Sequence, residues 1–78
     1  MKGLGVVAGV PDVIAIKDGH CYALELKAAG GKLTKKQEDV LIALRRAGAT
    51  ASHAHGLDQA LRMLEAWGLL MTGGPNET

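Results

Sequence analysis

Phenylalanine is absent from this sequence, and one Trp and one Tyr are its only large aromatic side chains. The core must therefore rest on Leu, Val, Ile and Ala, without the large buried areas that aromatic rings contribute. Cysteine is nearly as scarce. Cys21 stands alone, which excludes an internal disulfide and most cysteine-based zinc sites. Neither sign of charge dominates: nine Lys and Arg against eight Asp and Glu give a net charge of +1. Affinity for nucleic acid would have to come from local placement of cations rather than a global field. No apolar stretch approaches the roughly 20 residues needed to span a bilayer. Residues 1–11 hold one Lys and a short, glycine-broken apolar run, unlike a leader peptide. The expectation is a soluble cytoplasmic protein that does not engage a membrane.

What is present reads as globular. Hydrophobic residues make up 47% of the chain and charged residues 22%, and 78 residues leave room for one core. A single domain is expected over 1–70, followed by a polar tail at 71–78. A domain this short buries only about 60% of its unfolded surface. A partner surface would help such a core, so self-association is expected.

Leu4-Gly5-Val6-Val7-Ala8 reads as a short first strand, weakened by glycines at 3, 5 and 9. Asp12 to Lys17 is rich in β-branched residues and reads as a strand. Asp18-Gly19 is a two-residue hairpin signal, and His20 to Lys27 returns as its partner. After a Gly30-Gly31 loop, Thr34 opens a helix, and Gln37 completes a capping box. Gln37, Val40, Leu41, Leu44 and Ala47 form its inward stripe, and Gly48 ends it. Residues 49–54 read as a weaker strand. A second helix follows, with Leu57, Ala60, Leu61, Leu64 and Trp67 turned inward. A strand–helix–strand crossover makes the last strand parallel to the second hairpin strand. The expected class is α/β: a small mixed β-sheet flanked by helices.

The hairpin has a chemical consequence. Across a two-residue turn the numbers of each facing pair total 37, which sets Asp12 opposite Glu25. Directly opposed residues have Cβ atoms roughly 4.5–5.5 Å apart, and strand alternation adds Lys27 to the same face. A three-residue loop would instead send the two acids to opposite faces. Opposed carboxylates repel, and a divalent cation relieves that repulsion; oxygen ligands suit Mg²⁺ or Mn²⁺. Such an ion lowers the pKa of bound water and neutralises charge developing on phosphorus, while Lys27 would orient the water or steady the charge. The competing reading is a hairpin end with three solvated polar groups, in which Lys27 only offsets the acids.

Gly9-Val10-Pro11-Asp12, Glu25-Leu26-Lys27 and Gln37 together resemble the PD-(D/E)xK nuclease superfamily. Within it the chain is most similar to the virus-type replication-repair nuclease family, VRR-NUC, over roughly residues 9 to 67. The likeness includes Gly30-Gly31-Lys32-Leu33-Thr34-Lys35-Lys36-Gln37 and the final strand and helix. The resemblance implies a metal-dependent endonuclease with a restriction-endonuclease-like core. Asp12 and Glu25 would bind Mg²⁺ or Mn²⁺, the Leu26 carbonyl would complete the shell, Lys27 would assist hydrolysis and Gln37 would project into the site. Family members commonly carry an N-terminal helix, often with an acidic residue near the site. Only Met1 to Val10 precede the Pro-Asp here, and none is acidic. Either that helix is dispensable or a second copy of the chain covers the sheet. The resemblance further implies a homodimer acting on branched DNA, with no small-molecule cofactor. Two alternatives stand beside it: a catalytically inactive nucleic-acid-binding module of the same fold, and a small structural or interaction protein whose carboxylates are incidental.

Lys32, Lys35 and Lys36 lie near the open end of the hairpin. There they would either grip phosphates, helped by the helix N-terminus, or form an ordinary solvated face. Arg45 and Arg46 suit the macrodipole at the other helix end. His53 and His55 share one strand face but lack a third ligand for zinc. Cys21 reads as a small buried hydrophobe, Trp67 as core or dimer contact, and Ile42 as part of a partner surface.

Overall fold

The computed structural model describes residues 9–70, so the expected strand at 4–8 and the tail at 71–78 lie outside the described residues. Chain order is β1 (Val13–Lys17), β2 (His20–Lys27), α1 (Lys35–Arg46), β3 (Thr50–His55) and α2 (Leu57–Ala66). The sheet order is β1-β2-β3. β1 runs antiparallel to β2, and β3 runs parallel to it. The molecule is therefore a small α/β fold with a mixed sheet.

Local chemistry accounts for the hairpin. Asp18 and Gly19 both take positive φ, 51° and 77°, the conformation of a two-residue type I′ turn whose twist matches that of the strands. The register runs from Lys17↔His20 to Val13↔Leu24, the one expected. Helix α1 starts at the expected capping box. The Gln37 N–H donates to Thr34 Oγ1 at 3.1 Å, and the Thr34 N–H donates to Gln37 Oε1 at 2.9 Å.

Side chains alternate across the strands, and the two helices take opposite faces. Ala23 and Ala51 pack with Leu41 of α1, supported by Leu33 and Leu44. Leu24 and Ala54 pack with Ala60 of α2, supported by Val13, Met63, Leu64 and Trp67. Trp67 thus serves the core, its ring 5.7 Å from that of Tyr22.

Three burial expectations need correction. Leu57 and Leu61 are 71% and 41% exposed, and Met63 takes a place in the core instead. Residues 60, 63, 64 and 67 satisfy helical spacing as well as the expected stripe does. The choice between the stripes was made by how α2 lies on the sheet. Ala47 is the C-cap of α1 and is exposed, and Cys21 is half-buried rather than enclosed. No helix among the described residues is long and apolar enough to cross a membrane.

Candidate active site

The Pro-Asp segment reaches the sheet by passing against the start of α1. Gly9 has φ of +87°, and a Cβ there would lie 2.8 Å from the Lys36 carbonyl oxygen. Glycine is the residue that permits both the backbone angle and the approach. Pro11 is buried, and Asp12 stands one position before β1 begins. Extending the register by one step sets it opposite Glu25. The Asp12 carboxylate is also anchored to the backbone: Oδ2 accepts from the Leu26 N–H at 3.0 Å. The β1–β2 ladder stops at Val13 opposite Leu24, so among the described residues that N–H has no strand partner and the side chain supplies one.

Glu25 is 4% exposed. Its Oε2 accepts from Gln37 Nε2 at 2.9 Å, while its Oε1 is buried with no hydrogen-bond partner among the described residues. Burial first, and the neighbouring Asp12 charge second, push the Glu25 pKa above the ordinary carboxylate value; Lys27 and the Asp12 backbone amide pull the other way. Lys27 is half-buried, two residues further along the same face of β2. It forms no ion pair with either acid within the described residues. It acts on Glu25 through its field rather than by contact.

Backbone groups of alternate strand residues turn to opposite edges. The Lys27 carbonyl is taken by the Gly56 N–H on the β3 side. The Leu26 carbonyl accordingly turns to the β1 side, where Asp12 holds the Leu26 N–H. Asp12, Glu25, Gln37 and the Leu26 backbone therefore meet at one corner, with Lys27 beside it.

The expected cationic patch is looser. Lys32 and Lys36 are exposed without an ion pair among the described residues. Lys35 is paired with Asp39 at 3.0 Å, and the hydrogen bond and charge of Asp39 raise its pKa. Asp39 offsets the charge that Lys35 would offer a phosphate.

Two histidines come closer to the acids than the sequence indicated. In the parallel register His53 faces Glu25 and His55 faces Lys27. His55 Nε2 donates to the Gly31 carbonyl at 2.8 Å, pinning the loop before α1, whereas His53 Nδ1 is buried without a partner among the described residues. The signal available in the sequence was the β2–β3 pairing, whose register depends on how the intervening helix packs. Gly9 was likewise legible only as a strand breaker, not as the point of contact with α1.

No group of three His, Cys, Asp or Glu side chains converges on a metal position among the described residues. A cation held here would take Asp12, Glu25 and the Leu26 carbonyl, and fill its remaining positions with water or substrate oxygens, the habit of Mg²⁺. The orphaned Glu25 Oε1 fits that role, because a buried carboxylate oxygen without a donor is costly unless a cation meets it. Comparison with protein-family models, with curated proteins and with solved structures gave no match.

Proposed function

We propose that this chain is a metal-dependent endonuclease of the PD-(D/E)xK type, similar to VRR-NUC proteins, that hydrolyses DNA phosphodiester bonds. One observation carries the reading. A buried carboxylate, Glu25, has one oxygen fixed by Gln37 and the other without a partner among the described residues, beside an Asp12 anchored across the same strand pair. Asp12, Glu25 and the Leu26 carbonyl would hold Mg²⁺ or Mn²⁺. When bound, such an ion lowers the pKa of a coordinated water and offsets charge on the phosphoryl oxygens. Lys27 would orient the attacking water and donate to a non-bridging oxygen as charge develops there. Water oxygen adds to phosphorus and gives up a proton to solvent, the bond to the leaving sugar oxygen breaks, and that oxygen takes up a proton from solvent. Lys32 and Lys36, and Lys35 with its charge offset by Asp39, would steady flanking phosphates.

A homodimer and a preference for branched DNA belong to the same proposal. Support for self-association comes from β1, an edge strand among the described residues. Its Ile14 and Ile16 are 53% and 74% exposed. At the opposite edge, Arg45 Nε donates to the Ala51 carbonyl and Gln59 Oε1 accepts from the His55 N–H. An apolar edge to which no other described strand is paired is the one suited to a second copy.

The test is to incubate purified protein with junction, flap and linear DNA, in Mn²⁺ or in chelator. Cleavage that needs the cation and is lost in Asp12→Ala and Lys27→Ala, with folding retained, is the expected result. DNA binding without cleavage in any metal would identify the non-catalytic module instead.

A further inference from the structure

Gln37 belongs to two networks at once. Its Oε1 accepts from the Thr34 N–H at 2.9 Å and its own N–H donates to Thr34 Oγ1 at 3.1 Å. Its Nε2 donates to Glu25 Oε2 at 2.9 Å. The two ends of a side-chain amide have the same shape and exchange by a flip, so partners alone decide which end faces where. Here the flip is blocked. Turned over, the amide would set its NH₂ against the Thr34 N–H, donor to donor, and its carbonyl against Glu25 Oε2, acceptor to acceptor. Gln37 is therefore a fixed donor, and the end it offers the site is chosen by the helix cap.

We propose that Thr34 is a positioning residue for the carboxylate pair: by capping α1 and holding the Gln37 carbonyl, it occupies Glu25 Oε2 through Gln37 and leaves Oε1 as the oxygen that meets a cation. The inference rests on the metal-binding reading above. The same turn of α1 also bears on the other acid. A Cβ at Gly9, three residues before Asp12, would lie 2.8 Å from the Lys36 carbonyl oxygen and 3.2 Å from the Gln37 nitrogen. One helical turn thus sets the place of both carboxylates, one through a side chain and one through backbone packing.

The variants that test this are Thr34→Ala, Thr34→Ser and, as a control, Leu44→Ala. Leu44→Ala loosens the packing of α1 on the sheet without touching Thr34, Gln37 or Glu25. Removing Oγ1 releases the Gln37 N–H and frees the cap backbone that aims the Thr34 N–H. Mn²⁺ binding to the full chain is measured by titration, and hydrogen exchange of the Gln37 side-chain amide is measured by NMR in metal-free protein. Thr34→Ala is expected to weaken Mn²⁺ binding about 10-fold, at the lower end of effects seen when a group supporting a metal ligand is removed. It should also speed exchange of the amide. Thr34→Ser should restore both, and Leu44→Ala should leave Mn²⁺ affinity unchanged. A Thr34→Ala protein that binds Mn²⁺ as wild type does, or weakened no more than Leu44→Ala, overturns the positioning role. So does unaltered amide exchange. A wild-type protein that takes up no Mn²⁺ overturns the metal reading itself, and with it this inference.

Discussion

Ala23 and Leu24 are neighbours in β2, yet the sides of the sheet they face are used differently. On the α2 side Leu24 is fully buried and Ala54 and Ala60 close around it, with Met63, Leu64 and Trp67 completing an apolar cluster. On the α1 side a buried cluster of the same size, Ala23 and Ala51 under Leu41, has only Leu33 and Leu44 packed around it. Two residues along the strands that face turns polar, with Glu25 opposite His53 and Lys27 opposite His55. Burying a carboxylate with one oxygen unpartnered costs stability. The lesson is a division of labour within one small sheet: packing under α2 offsets the cost of holding charge under α1.

Four substitutions would break or sharpen that comparison. Leu24→Ala strikes the stabilising side. Loss of about 2–5 kcal/mol is expected for such a cavity, a large share of the roughly 5–15 kcal/mol that hold a typical domain. Denaturant midpoints read it directly. Lys27→Ala strikes the other side without loss of the fold. Cleavage should fall about 10²–10³-fold, as when a single group stabilising transition-state charge is removed, while circular dichroism stays unchanged.

Glu25→Gln should do what few active-face changes do and raise stability. The pKa of Glu25 is higher in the folded protein than its ordinary value. The native state therefore holds the proton more tightly than the unfolded chain, and ionisation at neutral pH works against folding. That penalty is full above the folded pKa, declines as pH falls through it, and is absent below the ordinary value of 4.5. The advantage of Glu25→Gln over wild type should follow the same course, largest at pH 7 and gone near pH 4. Melting temperatures of the pair across that range check it, and an advantage independent of pH would refute the cause given. The smallest effect is expected at Leu57, which is 71% exposed on α2. Leu57→Gln should change stability by no more than about 0.5 kcal/mol, whereas a large loss would show that its stripe is covered by a partner.

Much of this arrangement was legible from residue types and spacing. Asp18-Gly19 announced the turn, and with it the register that sets Asp12 against Glu25 provided the loop holds two residues; the positive φ of both and the observed pairing meet that condition. Thr34 and Gln37 announced the helix start. The remainder depended on tertiary placement. Where β1 stops decides that the Leu26 N–H needs a side-chain partner, and the sequence does not mark that point. The α2 stripe was ambiguous because two overlapping sets of apolar residues share the helical period. Gly9 carried a backbone signal, but its contact with Lys36 joins segments far apart in the chain. His53 came beside Glu25 through a parallel register that no local rule specifies. Gln37 was assigned to the cap and to the site separately; the structure adds that the first fixes its donor end toward the second.

Manganese uptake by the wild-type chain, by Asp12→Asn and by Glu25→Gln, followed by titration calorimetry near neutral pH, bears most directly on whether this corner of the sheet is a cation site. Saturable binding by the wild type that both substitutions abolish is the predicted result. A wild type that binds no ion, or substituted proteins that bind as well as it does, would contradict the account.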